Sequence, residues 1–125
     1  MKLQLKSIAD RGDSHKERLV IRVIDDTDIG EFIAMRILYN ETSVTTAVTD
    51  TFWFPDKSVK AGDLVVIYSR DGQSKVKNLE GGRTAHFFYW GLEAPVWSES
   101  TMGVVLAHAP DWEASMAGNL SPSAH

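Results

Sequence analysis

Chemistry in this chain would have to come from its four histidines, its carboxylates and its hydroxyls, because its 125 residues include no cysteine. Thiolate nucleophiles and thiolate zinc or iron sites are therefore excluded. A serine hydrolase needs a serine, a histidine and a carboxylate in one constellation, and no Gly-x-Ser-x-Gly elbow is present. His86 and His108 fall inside apolar, strand-like stretches and are not spaced as a metal pair on one element, so each reads as a structural histidine. Phosphate-cradling and dinucleotide glycine patterns are missing. The sequence thus assigns no catalytic residue, cofactor or metal ligand, and the expectation is a protein that is not an enzyme. Asp25, Asp26, Asp28 and Glu31 around Gly30 offer the hard oxygen ligands calcium needs, but not a twelve-residue loop closed by a bidentate glutamate. An acidic turn is the better reading. Arg11-Gly12-Asp13 spells an adhesion tripeptide, yet these are the residues a tight turn prefers.

Function then falls to the surface. Phe87-Phe88-Tyr89-Trp90 is the richest aromatic stretch, and Trp97 follows it closely. On a strand, Phe87 and Tyr89 point one way while Phe88 and Trp90 point the other. One pair must lie outside, as a binding or oligomer contact, unless a loop from 73 to 82 covers it. Arg83, His86, Tyr89 and Trp90 are accordingly the expected binding residues. The expected role is a non-catalytic protein-interaction or structural module, with a protein partner or a second copy of itself. The alternative is a domain for nucleic acid or glycan. Residues 57–83 hold Lys57, Lys60, Arg70, Lys75, Lys77 and Arg83 against Asp63, Asp71 and Glu80, a balance of +3, and nearby Tyr89 or Trp90 would supply stacking. Residues 84–125 contain no lysine or arginine and carry −4, and the whole chain also carries −4, which opposes non-specific binding to phosphate. A solvated, lysine-rich hairpin explains the basic segment more simply.

The elements that position these residues read as strands. Hydrophobic and charged fractions of 43% and 24% are those of a globular domain long enough to bury a core. Period-two alternation recurs and helical periodicity is nearly absent. Leu3 to Ile8 and Leu19 to Val23 are strands separated by the turn residues 10–13. From Phe32 to Tyr39, Ile33, Met35, Ile37 and Tyr39 share one face, with Ala34 and Arg36 on the other. Val44 to Phe54 is rich in threonine, valine and aromatics and ends at Pro55, which cannot donate to a ladder. Leu64 to Tyr68 is the most apolar run and reads as a central strand. Further strands are expected over residues 84–90, over 104–107 and briefly around Trp112, with a long loop over 73–82. The sum is an all-β chain, an immunoglobulin-like β-sandwich of about eight short, mostly antiparallel strands. Residues 1–114 form its single domain and 115–125 a flexible tail. The N-terminus alternates polar and apolar residues rather than forming a signal peptide, and no run approaches a membrane span, so the expected address is the cytoplasm with no membrane insertion.

Three linked pieces, in order, resemble the lamin tail domain, an immunoglobulin-like sandwich. Phe52-Trp53-Phe54-Pro55 followed by Val59-Lys60-Ala61-Gly62-Asp63 looks like that family's aromatic-Phe-Pro step and hydrophobic-Lys-Ala-Gly turn. Leu64 to Tyr68 is similar to the strand that follows. Val96-Trp97, a polar loop and Val104-Val105-Leu106 resemble its tryptophan turn and next strand. Leu19 to Val23 fits an early strand more loosely, so the likeness spans roughly residues 17–113. Ser98-Glu99-Ser100 departs from the Asn/Asp-Gly that often follows the tryptophan, and residues 73–83 show no family pattern. The resemblance implies a fold and a habit of acting as an interaction module, not a reaction. Physically, Gly62 is expected to take a positive φ and Trp97 to plug one end of the sandwich.

Overall fold

A computed structural model describes residues 1–120 and Pro122. It is almost entirely β, with short 3₁₀ turns and no α-helix among these residues. Two sheets enclose one apolar interior. The larger contains β1 (Leu3–Ala9), β2 (Arg18–Val23), β7 (Leu64–Tyr68), β8 (Lys75–Asn78) and β9 (Thr84–Tyr89), in the spatial order β1-β2-β7-β9-β8. The smaller contains β4 (Phe32–Asn40), β5 (Ser43–Trp53) and β10 (Met102–His108), in the order β10-β4-β5. Two short strands, β3 (Thr27–Asp28) and β6 (Ser58–Val59), pair with each other. No helix among the described residues is long and apolar enough to cross a membrane.

Alternation decides what goes inside. Leu19, Ile21 and Val23 of β2, Val65 and Ile67 of β7 and Phe88 of β9 line the larger sheet's inner face; Phe32 and Ala34 of β4 answer from the smaller sheet. Phe52, Val104 and Leu106 pack against them. The end of the interior is an edge-to-face aromatic cluster of Phe52, Phe54, Phe88, Trp90 and Trp97. Trp97 is buried there, and Gly62 takes its φ of +92° in the turn that re-enters the sheet.

Two local expectations are corrected, the loop over 73–82 and the strand around Trp112. All ladders run antiparallel except β7–β9, which is parallel. Parallel neighbours need a crossover, and here the chain leaves β7, passes over the end of β9 and returns as β8 on its far side. The expected loop over 73–82 therefore contains strand β8. All four of its side chains are exposed, so no apolar period announced it. The expected strand around Trp112 does not form; that indole stands in irregular chain against Trp53, with ring centroids 4.9 Å apart. Of the expected tail, residues 115–120 are exposed, with a 3₁₀ turn at Ala117–Asn119; apart from Pro122, the rest lies outside the described residues.

Candidate functional sites on the two outer sheet faces

Any chemistry would fall to the buried polar groups. Glu17 is fully buried. One carboxylate oxygen accepts from the amides of Gly12 and Trp97, at 3.0 and 3.1 Å; the other accepts from the Val96 amide, at 2.9 Å, and from the Ser69 hydroxyl. Burial pushes its pKa up, but the Ser69 hydroxyl and the three amides more than offset this and hold it below the usual glutamate value. This carboxylate ties the 10–17 turn, the end of β7 and the Val96-Trp97 turn together. Every lone pair aimed at a donor is already in use, which is a structural role.

Asp63 and His86 form a second buried pair. Asp63 accepts from the amides of Lys60 and Thr84 and from His86 Nε2 at 2.9 Å. Burial raises the Asp63 pKa, and the His86 hydrogen bond and the two amides lower it by more. An ionised Asp63 can only accept, so the His86 proton sits on Nε2. Nδ1 is buried with no partner among the described residues. In the acidic turn, Asp28 accepts from the amides of Gly30 and Lys57 and Asp26 from that of Ala61, while Glu31 meets His108 Nε2 at 2.9 Å. No three metal-ligating side chains converge among the described residues. Asp13 of the adhesion-like tripeptide caps its own turn through the amides of His15 and Lys16.

The four expected binding residues do not share a surface. Tyr89 faces outward from the larger sheet. Trp90 turns inward, with its ring centroid 5.9 Å from those of both Phe52 and Trp97. His86 is buried on Asp63. Arg83 is exposed at the start of β9, over Gly62, bonding the Glu80 carbonyl. A shallow cleft of about 400 Å³ lies beside loop 91–96; of its three charged lining residues, Arg36 and Asp50 pair with each other at 3.2 Å, and the third is Glu93.

What remains is two outer faces of opposite character. On the larger sheet, β2 contributes Arg18, Val20 and Arg22, β7 Val66 and Tyr68, β9 Phe87 and Tyr89, and β8 Lys75 and Lys77. Tyr68 and Tyr89 stack at 5.3 Å, and Phe87 lies 6.3 Å from Tyr68. The Arg70 guanidinium stands 5.0 Å from both tyrosine rings, Arg18 is 5.8 Å from Tyr68, and the Lys75 ammonium is 5.7 Å from Phe87. Gly72 lies on the Tyr89 ring where the chain crosses β9; a Cβ there would meet the ring at 2.6 Å.

The residues in register across the smaller sheet's outer face carry no charge. In register across it run Ala107–Ile33–Trp53, Val105–Met35–Thr51 and Gly103–Ile37–Val48, then Tyr39 beside Val44. Trp53, Val44 and Val48 are 47%, 52% and 44% exposed, and Trp112 extends the surface at 59%. Tyr39 lies over Gly103, where a Cβ would fall 2.2 Å from the ring. Sequence reasoning had separated the Ile33–Tyr39 face from the Ala34 face; both are apolar enough to be core, and only packing assigns Phe32 and Ala34 inward. No protein-family model matches the chain, and no curated protein matches it.

Proposed function

We propose that this chain is a non-catalytic protein-interaction module whose working surface is the outer face of β4, β5 and β10, and that the face takes a second copy of the chain. One observation carries the reading: a sheet already buried on its inner side presents Ile33, Met35, Val44, Val48 and Trp53 outward around a buried Ile37, with no charged residue among them. Soluble domains rarely leave such a contiguous patch unused. A charge-free face also meets its own copy without placing like charges opposite, which a −4 chain would otherwise do. The lamin-tail likeness, whose members serve as interaction modules, supports the same role, and the lack of cysteine suits a reducing cytoplasm.

At ordinary strand spacing the face measures roughly 15 Å by 25 Å, a few hundred Å². That is about half of the ~800 Å² per partner of a standard stable interface, so the dimer is expected to be weak. Sedimentation velocity from about 1 µM to about 300 µM should show the mass rising from 13.9 kDa toward twice that value. Met35→Lys places an ammonium in the middle of the face, with a stem long enough to reach water when monomeric. It should stay monomeric across the range with melting little changed. Wild-type protein that is monomeric throughout would remove this proposal.

A further inference from the structure

The larger sheet carries a different surface, and we infer that its outer face is a binding site for single-stranded nucleic acid. The chain is acidic overall, yet the strands put Arg18, Arg22, Lys75 and Lys77 on this one face, with Arg70 leaning over it and no carboxylate on the outward positions of β2, β7, β8 or β9. Asp10 is the acid that reaches in, and it is taken by Arg18 at 2.7 Å. Such segregation is the electrostatic footprint of a polyanion site.

Charge alone would fit any polyanion; the rings narrow it. Tyr68, Phe87 and Tyr89 form a continuous half-buried row across β7 and β9, each with a guanidinium or ammonium within 6 Å of its ring. Rings interleaved with cations on a flat sheet are what an unpaired strand needs, since bases stack on π-faces while phosphates reach the cations. A duplex hides its base faces in its own stack, so it gains only the charge. Neutral glycans use stacking but gain nothing from five cations. The tyrosine pair is held by Arg70 and by Gly72 beneath the crossing chain, leaving Phe87, beside the edge strand β8, as the ring best placed to receive a base. This surface is independent of the apolar face on the other sheet.

The test is fluorescence anisotropy with a labelled mixed-sequence oligonucleotide of about 12 nucleotides, as DNA and as RNA, and with the matching duplex. At low salt the single strands should bind, and log affinity should fall linearly with log salt, with a slope of roughly −2 to −3.5 for three to five phosphate contacts. Lys75→Ala with Lys77→Ala should make that slope shallower by about 1.4, whereas Lys60→Ala, in an exposed turn off this face, should leave it unchanged. Phe87→Leu keeps the volume but removes the π-face; it should weaken binding roughly fivefold or more with the slope unaltered. Melting curves verify that each variant is folded. Three outcomes would overturn the inference. The first is no binding of either single strand at low salt. The second is duplex and heparin binding as tightly as single strands with Phe87→Leu silent, which is mere polyanion adhesion. The third is displacement of the oligonucleotide by a neutral oligosaccharide, which marks a glycan site.

Discussion

Glu17→Ala is expected to lower stability by about 4 kcal/mol or more. The variant leaves the Ser69 hydroxyl and the amides of Gly12, Val96 and Trp97 facing an empty space, and each buried donor left unmade costs on the order of 1–3 kcal/mol. Domains of this size hold only about 5–15 kcal/mol in total. Glu17→Gln keeps one accepting oxygen but turns an NH₂ toward donors, so it should lose somewhat less, about 2–3 kcal/mol. Urea denaturation at neutral pH measures both. The pH dependence has a definite sign. The folded Glu17 pKa lies below its ordinary value of about 4.3. Its contribution is therefore whole above that value and is lost as pH falls through the lower, folded one. Asp63 shifts in the same direction and adds to the loss. Wild-type stability should be level from neutral to about pH 5 and fall below that, and Glu17→Gln should show a shallower acid limb. An acid limb identical in both proteins would mean that the carboxylate does not anchor the three segments.

Trp97→Ala is the second large effect, expected to cost about 3–5 kcal/mol, because it opens a cavity at the closed end of the sandwich. Trp97 is among the largest fully buried side chains and meets Trp90 edge-on at 5.9 Å. Its indole N–H, however, has no acceptor among the described residues. Trp97→Phe retains a ring while deleting that unmatched donor, so two opposing terms partly cancel and the loss should be about 1–2 kcal/mol. Thermal melting of the pair separates them. If phenylalanine is as damaging as alanine, the indole N–H is satisfied and its bond matters more than the ring's volume.

The strands that pair an apolar face with a polar one were legible in the sequence. Leu19-Ile21-Val23 alternates with two arginines, Leu64 to Tyr68 is continuous apolar chain, and both lie where expected. Pattern fails where both faces are apolar, as in β4, because period two gives the faces without saying which is inside. It fails in the other direction at β8, whose residues are all exposed and which is a strand only because the crossing chain finds the free edge of β9. The proposed basic and aromatic surface was half legible. Tyr89 and the lysines at 75 and 77 were visible, but Tyr68 looked like the end of a core strand, and the stacking of Tyr68 on Tyr89 depends on a parallel pairing that no local signal announces. Trp90 and His86 drew attention by type, then proved to serve the interior. Glu17 gave no sign at all. It is one glutamate in a polar turn, and its donors come from residues 12, 69, 96 and 97.

The two outer faces differ in character, one apolar and uncharged along its in-register residues, the other basic and aromatic. The most direct measurement of the first face is methyl nuclear magnetic resonance of the intact chain over a dilution series. Self-association through that face requires shift changes with concentration at Ile33, Met35, Val48 and Val105, and none at Val20 or Val66 on the opposite sheet. Shifts that stay constant on dilution, or that move on the β2–β7 side instead, would contradict it.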